Sequence, residues 1–450
     1  MADDAHAHSV SRTLIKKLED RTAVVGVCGL GYVGLPLAMA VAAAGFSVKG
    51  YDVNPELVAE LARGYSRIGA VPSGVLQAQA AAGRFTATGD SSVLGSCDAI
   101  LVCVPTPLTR HREPDLTYIE KTTRTIADHL KRGQLIVLES TTYPGTTAGV
   151  MKPILEAGGL RSGRDFFLGY SPEREDPGNR DFSTAAIPKV VAGDGAEAQR
   201  AVETLYGAVV REIVPVSSIE VAEAVKLTEN VFRAVNIALV NELKIVYDAM
   251  GIDVWDVIEA AKTKPFGYMP FYPGPGLGGH CIPIDPFYLT WKSREFDVPT
   301  RFIELAGEIN VSMPAYVVQR LADALDQRFS RGLNGARVLL LGVAYKRNVE
   351  DVRESPALKL MELLERKGAT VAYHDPHVPV LGRLREYPHL LGRKSVPLDA
   401  ASLEAADAVL IATDHDAIDY AKVATDAKLV IDTRNAMARK GLAGPTVVKA

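Results

Sequence analysis

A single cysteine lies among glycines in a segment whose residue types suit nucleophilic chemistry. Residues 274–285 read GPGLGGHCIPID, with Cys281 after the glycines and Asp285 one helical turn further on. Glycines let the backbone approach a substrate closely, and free N–H groups lower the pKa of a nearby thiol. A passive cysteine would fit an apolar strand better. We therefore predict that Cys281 is a nucleophile, with His280 as a substrate or loop contact.

A glycine-rich turn near the start of the chain has the pattern of a dinucleotide-binding site. An apolar run leads into GxGxxG at residues 29–34, a helical segment follows, and the next apolar run ends at Asp52. The glycines permit a close approach of pyrophosphate, and the acid accepts both ribose hydroxyls, which favours NAD over NADP. The alternative is a glycine turn with an ordinary surface aspartate. The predicted NAD-binding residues here are Gly29, Gly31, Tyr32, Val33, Gly34 and Asp52.

Polar residues at three further places suggest catalysis. Lys226 and Asn230 are spaced i, i+4, so they share a helix face and together can stabilise an oxyanion; the alternative is a solvated lysine beside a polar neighbour. Residues 139–145 end a buried strand, where polar side chains either face a ligand crevice or merely turn the chain. Residues 171–178 are dense in charge, and at least one carboxylate there suits a general base.

Cations surround a turn in the last third of the chain. Tyr345, Lys346 and Arg353 lie close together in sequence, and such cations suit phosphate recognition. A helix cap at Ser355, with Pro356 at the first helical position, is the other interpretation, and the two are compatible.

The composition is that of an ordinary soluble protein. The chain has 450 residues, 47% of them hydrophobic and 23% charged, with a formal net charge of −4 and no block of like charges, so nothing calls for nucleic acid or a membrane surface. Cys28, Cys97 and Cys103 lie in or beside apolar runs and are predicted to be inert core thiols. No CxxC pair indicates a metal site or a disulfide framework, and neither a signal peptide nor a spanning segment is evident, so we expect a cytoplasmic protein.

The elements that must position these residues form an α/β pattern. Val/Ile/Leu-rich runs alternate with helical segments up to about residue 212, which predicts a parallel, doubly wound sheet. The strands of this sheet are predicted at 23–27, 47–51, 99–104, 135–138, 166–169 and 189–192. A second α/β unit repeats the plan from residue 335, with strands at 337–341, 370–374, 408–412 and 429–431. Its first turn lacks the glycine triplet, so we expect it not to bind a dinucleotide in the same way.

Between these units the pattern is helical. Residues 219–250 contain neither proline nor glycine and follow two serines suited to capping, which predicts one long helix; further helices are predicted at 254–262 and 301–327. The predicted fold is two doubly wound Rossmann-like domains joined by a long central helix and a helical connector. The predicted segments are an NAD-binding domain over 1–212, a central helical domain with the cysteine loop over 213–330, and a second α/β domain over 331–450. The long helix is also a natural dimer surface.

Taken in order, the motifs resemble those of the UDP-glucose/GDP-mannose dehydrogenase family. The likeness covers nearly the whole chain and lies in residues 29–36, 226–230, 278–285, 342–346 and 353–356. It implies oxidation of a sugar C6 alcohol to a carboxylate with two NAD consumed, by way of an aldehyde, a thiohemiacetal on Cys281 and a thioester. The product would feed bacterial surface polysaccharide synthesis, and the implied partners are a UDP-sugar and a second copy of the chain.

The resemblance also assigns roles to individual residues. Cys281 is the nucleophile, Lys226 and Asn230 stabilise the oxyanion, and Asp285 orients water or takes a proton. Thr142 lies near the nicotinamide and the catalytic water, and Glu173 assists hydrolysis. Further implied cofactor contacts are Thr106, Thr142 and Arg353. The implied substrate-binding residues are Glu173, Arg174, Lys226, Asn230, Tyr272, Gly278, Tyr345 and Lys346.

One departure bears on the sugar. The UDP-glucose branch has a second acid where this chain has Pro177, and residues 264–276 resemble the branch that acts on UDP-N-acetylhexosamines. This favours UDP-N-acetylglucosamine, with UDP-glucose and UDP-N-acetylmannosamine left open. The rival interpretations are a β-hydroxyacid dehydrogenase, which uses no thiol, and a non-catalytic regulator that binds NAD or nucleotide sugars.

Overall fold

The computed structural model describes residues 2–109, 113–174, 184–279, 284–382, 384 and 386–450. Cys281, His280 and Pro177 therefore lie outside the described residues. The chain divides into two compact units. The first contains Met1–Glu229 and Phe287–Asp297, and the second contains Asn230–Pro286 and Val298–Ala450.

An eight-stranded sheet forms the centre of the first unit, with the order β3-β2-β1-β4-β5-β6-β7-β8. Its strands are β1 (Val24–Cys28), β2 (Ser47–Tyr51), β3 (Phe85–Thr88), β4 (Ala99–Val102), β5 (Leu135–Leu138), β6 (Phe167–Tyr170), β7 (Lys189–Gly193) and β8 (Ile213–Pro215). Its helices are α1 (Ala2–Glu19), α2 (Gly34–Ala43), α3 (Pro55–Ala62), α4 (Ser73–Ala81), α5 (Thr117–Ala127), α6 (Lys152–Glu156) and α7 (Ala196–Gly207).

Side chains of the central strands alternate between two hydrophobic cores. Along β4, Ala99 and Leu101 lie in one core and Ile100 and Val102 in the other, because successive side chains point to opposite faces of a sheet. Apolar residues at every position of such a strand mean that both faces are covered. The prediction of a doubly wound α/β domain is thereby confirmed.

The sheet departs from the predicted parallel arrangement at one pair of strands. β7 runs antiparallel to β6, with Gly169 opposite Gly193. Parallel neighbours need a crossover, usually a helix, and no α-helix lies in the described part of the connection between β6 and β7. β8 then pairs parallel with β7 through the crossover helix α7.

The second unit contains a five-stranded parallel sheet with the order β10-β9-β11-β12-β13. Its strands are β9 (Arg337–Leu341), β10 (Thr370–His374), β11 (Ala408–Ile411), β12 (Val430–Asp432) and β13 (Val447–Lys449). The remaining helices are α8 (Ile219–Ala249), α9 (Val254–Ala261), α10 (Asp285–Ser293), α11 (Arg301–Phe329), α12 (Pro356–Arg366), α13 (Ala400–Ala405), α14 (Tyr420–Asp426) and α15 (Ala436–Arg439); of these, α8 and α10 each contribute to both units.

The long helix α8 begins and ends close to the predicted residues. The hydroxyl of Ser218 accepts a hydrogen bond from the N–H of Val221 at 3.3 Å, which satisfies one of the unpaired donors of the first turn. The helix ends just before Gly251, whose φ of +71° suits glycine. The predicted cap of α12 is also present, since Ser355 accepts from the N–H of Ala357 and Pro356 is the first helical residue.

Three strands were not predicted, namely β3, β8 and β13. Each lies at the edge of its sheet, where only one neighbouring strand and partial burial stabilise it. Each strand is also only three or four residues long, so its signal in the sequence is weak.

Within the described residues, no helix combines the length and apolar character needed to cross a membrane. That same part of the chain holds no group of three or more His, Cys, Asp and Glu side chains suited to a metal ion.

Candidate active site

In the glycine turn after β1, Gly29 and Gly34 are tightly packed, whereas Gly31 faces open space. Gly29 has a φ of +89°, and a Cβ there would lie 2.6 Å from the carbonyl oxygen of Cys103. A Cβ on Gly34, the first residue of α2, would lie 1.8 Å from the carbonyl oxygen of Gly29. A Cβ on Gly31 would meet nothing within 4 Å. The turn therefore leaves open space at Gly31, beside the positive end of a helix.

Asp52 follows β2 directly and lies beside this turn. One carboxylate oxygen accepts from the N–H of Leu30 and the other from the N–H of Asn54, both at 2.8 Å. A carboxylate has about four acceptor positions, so both oxygens keep capacity for ribose hydroxyls. Tyr32 is 37% exposed, and Val33 packs partly buried against the core. The open glycine, the helix N-terminus and the acid together fit NAD.

Replacing Asp52 by alanine is expected to weaken NAD binding about 10- to 100-fold. The lost hydrogen bonds to a charged acceptor are worth roughly 1.5–3 kcal/mol, and about 1.4 kcal/mol corresponds to a factor of ten. Titration calorimetry with NAD measures the change. Glu56→Gln, at an exposed acid four residues away, serves as the control, and binding of UDP by both variants reports an intact fold. Unchanged NAD affinity in Asp52→Ala would contradict the assignment.

The turn after β5 carries Thr142 and is held by a residue that sequence reasoning missed. Glu223 of α8 is fully buried and accepts from the N–H of Thr147 at 2.9 Å, from its hydroxyl at 2.7 Å and from the N–H of Gly145. Burial raises the pKa of Glu223 to about 7, although these three donors oppose the shift. Thr142 is buried and hydrogen-bonds the hydroxyl of Thr146. The only signal in the sequence was spacing, because residues 223, 226 and 230 share a helix face.

Glu173 and Lys226 lie together in the first unit. The ammonium of Lys226, 7% exposed, donates to the backbone carbonyl of Glu173. The Glu173 carboxylate accepts from the N–H of Arg174 at 2.6 Å. The Arg174 guanidinium pairs with Glu229 of α8 and donates to the carbonyl of Pro188 at 2.8 Å. Three predicted site residues are thus held around the end of β6.

Thr106 and three buried cysteines also lie in the first unit. The carbonyl of Thr106 accepts from the hydroxyl of Tyr288 in α10 at 2.8 Å. Burial raises the pKa of the Cys28 and Cys103 thiols well above the ordinary value and that of Cys97 to about 12. These three cysteines are the inert core thiols that the sequence predicted.

In the second unit Asn230 meets Asp285. The side-chain amide of Asn230 donates to the Asp285 carboxylate at 2.5 Å, and both residues are buried, with exposures of 4% and 3%. Asp285 is the first residue of α10, four positions after Cys281. This hydrogen bond ties the predicted oxyanion face of α8 to the chain that leads out of the cysteine loop.

The glycine segment before Cys281 packs against the first turn of the second α/β sheet. A Cβ on Gly278 would lie 2.8 Å from Cβ of Tyr345 and 2.9 Å from Pro356. The N–H of Gly279 donates to the carbonyl of Arg353 at 3.4 Å. Arg353 forms a two-pronged ion pair with Asp351. Tyr345 therefore packs against Gly278 so closely that a side chain at residue 278 would not fit, and Arg353 contacts the neighbouring Gly279.

Three further residues of the second unit are relevant to the site, namely Tyr272, Lys346 and Arg434. Tyr272 stacks on Trp255, with ring centroids 5.6 Å apart, and donates to Glu259 at 2.8 Å. Lys346 is half-buried. Arg434, which sequence reasoning missed, lies against Gly274, where a Cβ would be 2.5 Å from its guanidinium.

The acid at the end of β10 has a different role from Asp52. Asp375 accepts from the N–H groups of Val343 and Ala344 at 2.7 and 3.1 Å and pairs with His415 at 3.0 Å. It is 3% exposed, so its oxygens are engaged inside the protein. Burial alone raises the pKa of Asp375, but His415 outweighs it and the net shift is downward. Asp375 is thus buried and paired inside the protein, whereas Asp52 is partly exposed beside its turn.

A largely parallel, doubly wound sheet with this glycine turn and terminal acid defines an NAD-binding α/β domain. The chain belongs to the UDP-glucose/GDP-mannose dehydrogenase family. The NAD-binding domain of that family matches residues 23–210, its central domain 220–312 and its UDP-binding domain 339–439.

Relatives and solved structures cover nearly all of the chain. It is 39% identical over 397 residues to a UDP-N-acetyl-D-glucosamine 6-dehydrogenase of Pseudomonas aeruginosa, covering 87% of this chain and 90% of that one. It is 34% identical to an NDP-N-acetyl-D-galactosaminuronic acid dehydrogenase of Ralstonia nicotianae, covering 93% and 97%. The structure of a UDP-D-ManNAc dehydrogenase from Pyrococcus horikoshii is similar with a TM-score of 0.84 at 33% identity, covering 94% and 97%.

Proposed function

We propose that this enzyme oxidises the C6 alcohol of a UDP-N-acetylhexosamine to the carboxylate through a thioester on Cys281. The observation that carries the proposal is the buried hydrogen bond between Asn230 and Asp285, four residues from that thiol. Burying an amide and a carboxylate costs free energy, because each group gives up its bound water. Such a pair beside a glycine-rich loop therefore supports a functional role for both residues.

Each step of the proposed reaction is assigned to particular residues. NAD, when bound at the glycine turn, accepts the two electrons and the hydrogen that leave the sugar carbon in each oxidation. The Cys281 sulfur bonds to the aldehyde carbon, and Lys226 and Asn230 stabilise the negative charge that develops on its oxygen. After the second oxidation, water adds to the thioester carbon, the C–S bond breaks, and Glu173 or Asp285 takes the proton. Thr142 is proposed to lie next to the reacting carbon and its water.

Two features support UDP-N-acetylglucosamine as the sugar nucleotide. A relative with that activity is 39% identical over most of the chain, and Pro177 stands where the UDP-glucose branch has an acid. UDP-N-acetylmannosamine and UDP-glucose are the alternatives. For the nucleotide we propose contacts with Tyr345, Lys346 and Gly278 on one side, and with Arg174 and Tyr272 near the sugar. Arg353 is proposed to reach the cofactor.

The expected yield is two NADH and one uronic acid for each sugar consumed. The test incubates the protein with NAD and, separately, UDP-GlcNAc, UDP-ManNAc, UDP-GalNAc and UDP-glucose, and follows absorbance of NADH and the acid by mass spectrometry. The highest kcat/KM is expected with UDP-GlcNAc. One NADH per sugar would indicate a simple alcohol dehydrogenase, and no NADH from any of the four sugars would indicate a regulator.

We also propose the assembly and the setting in which the enzyme works. Phe232, Leu239 and Val246 recur every seven residues on α8 and are 46–51% exposed. An apolar stripe at this spacing on a long helix supports a homodimer. The division into an NAD-binding segment over 1–212, a central segment over 213–330 and a UDP-sugar segment over 331–450 is part of the proposal. So are a cytoplasmic location, in keeping with the thiols, and a product used for surface polysaccharide.

A further inference from the structure

We infer that Lys189 is a positioning residue for Glu173, and that Glu139 competes with Glu173 for the same ammonium group. The inference rests on the proposed function, because it concerns the acid that is proposed to assist thioester hydrolysis. The residues that support the inference all belong to the first unit, and none of them lies in the GxGxxG turn or the cysteine loop.

Lys189 opens β7, and its side chain is only 6% exposed. The ammonium lies 2.8 Å from a carboxylate oxygen of Glu139, 3.8 Å from one of Glu173, and 3.5 Å from the carbonyl of Pro172. Burying an ammonium costs several kcal/mol unless acids surround it. Burial alone lowers the pKa of Lys189, but Glu139 and Glu173 outweigh it and hold the pKa above the ordinary value. The lysine is therefore charged while buried.

Glu139 is the deeper of the two acids. It follows β5, is 0% exposed, and accepts from the phenol of Tyr206 in α7 as well as from Lys189. Burial raises the pKa of Glu139 to about 7, although Lys189 opposes the shift. Glu139 thus gains or loses its charge near neutral pH, which changes how much of the Lys189 charge acts on Glu173.

Glu173 is held from several sides at once. The N–H of Arg174 donates to one carboxylate oxygen at 2.6 Å, Lys226 donates to the backbone carbonyl, and Lys189 faces the other carboxylate oxygen. Among the residues that the structure describes, the titratable and charged groups around Lys189 and its two acids include Cys103, Glu139, Glu173, Tyr206 and Lys226. An ammonium at this position attracts the Glu173 carboxylate and holds it in place to take a proton from the water that adds to the thioester carbon.

The test compares Lys189→Met, Lys189→Arg and Glu139→Gln in the full-length enzyme. In Lys189→Met, we expect kcat for acid formation to fall about 100-fold. Because hydrolysis becomes limiting, a burst of two NADH per active site is expected, followed by slow turnover. Lys189→Arg should restore most of the rate and abolish the burst, because its guanidinium keeps a positive charge beside Glu173.

Glu139→Gln leaves the Lys189 ammonium with Glu173 as its remaining acid partner, so acid formation is expected to continue at close to the wild-type rate, without a burst of two NADH. A purely structural role for the cluster would instead slow Glu139→Gln and Lys189→Met alike, with no burst in either. If Lys189→Met does not fold, acid formation by Glu139→Gln at close to the wild-type rate supports the role of Lys189, and a burst in that variant overturns it.

Failure of this inference differs from failure of the proposed function. A Lys189→Met variant with the wild-type kcat and no burst, beside a wild-type enzyme that yields two NADH per sugar, overturns the role of Lys189 alone. A wild-type enzyme that yields no acid overturns the thioester chemistry itself, whatever the variants do.

Discussion

Cys281→Ala is expected to lower uronic acid formation by about 10⁴-fold or more, in line with the loss of other covalent nucleophiles. Without the thiol, the half-oxidised sugar has no covalent attachment, and the carbon that must give up its second pair of electrons is not held in place. The measurement is the NADH and uronate released per UDP-GlcNAc, by absorbance and mass spectrometry. NAD binding, judged by calorimetry, should be unchanged, because the glycine turn lies in another unit.

Alkylation provides an independent readout of the same thiol. Iodoacetamide is expected to modify Cys281 and to spare Cys28, Cys97 and Cys103, which are buried and whose pKa values are raised by burial. UDP-GlcNAc should protect Cys281. Cys97→Ala, at a buried thiol outside the site, is the matched control and should keep acid formation. Full acid formation by Cys281→Ala would remove the basis of the thioester mechanism.

Gly34→Ala is expected to destroy the NAD site and to destabilise the first unit. The added methyl group would lie 1.8 Å from the carbonyl oxygen of Gly29 and 3.1 Å from Cβ of Cys103, and backbone cannot yield as a flexible side chain does. Overpacking of this kind typically costs about 1–3 kcal/mol or more, so the unfolding temperature should fall by several degrees. Differential scanning calorimetry and NAD titration measure the two effects.

Gly31→Ala separates the two effects, because a Cβ at Gly31 meets nothing within 4 Å. The unfolding temperature should stay within about one degree of the wild type, while NAD affinity falls because the methyl group occupies the space left for pyrophosphate. A Gly31→Ala variant that binds NAD normally would show that the cofactor does not approach this glycine. A Gly34→Ala variant with normal stability would show that the turn is looser than its contacts indicate.

The sequence by itself determined the features whose causes are local. The three glycines, the flanking strand and helix and the terminal acid lie within about thirty residues, so their spacing alone predicts the turn. The long helix follows from a stretch without proline or glycine, and the caps at Ser218 and Ser355 follow from single hydroxyls beside helix starts. The central strands β4 and β5 were predictable because each is apolar at every position.

Only the tertiary structure decided which distant residues meet. Lys189 lies 50 positions from Glu139 along the chain, and Glu223 reaches Gly145 and Thr147 across more than 70. The antiparallel β6–β7 pair and the edge strands were likewise undetermined, because pairing depends on which neighbour offers hydrogen bonds and burial. The sequence around Lys189 does not show which acid will pair with it. The need for a partner arises only when folding removes water from both charged groups.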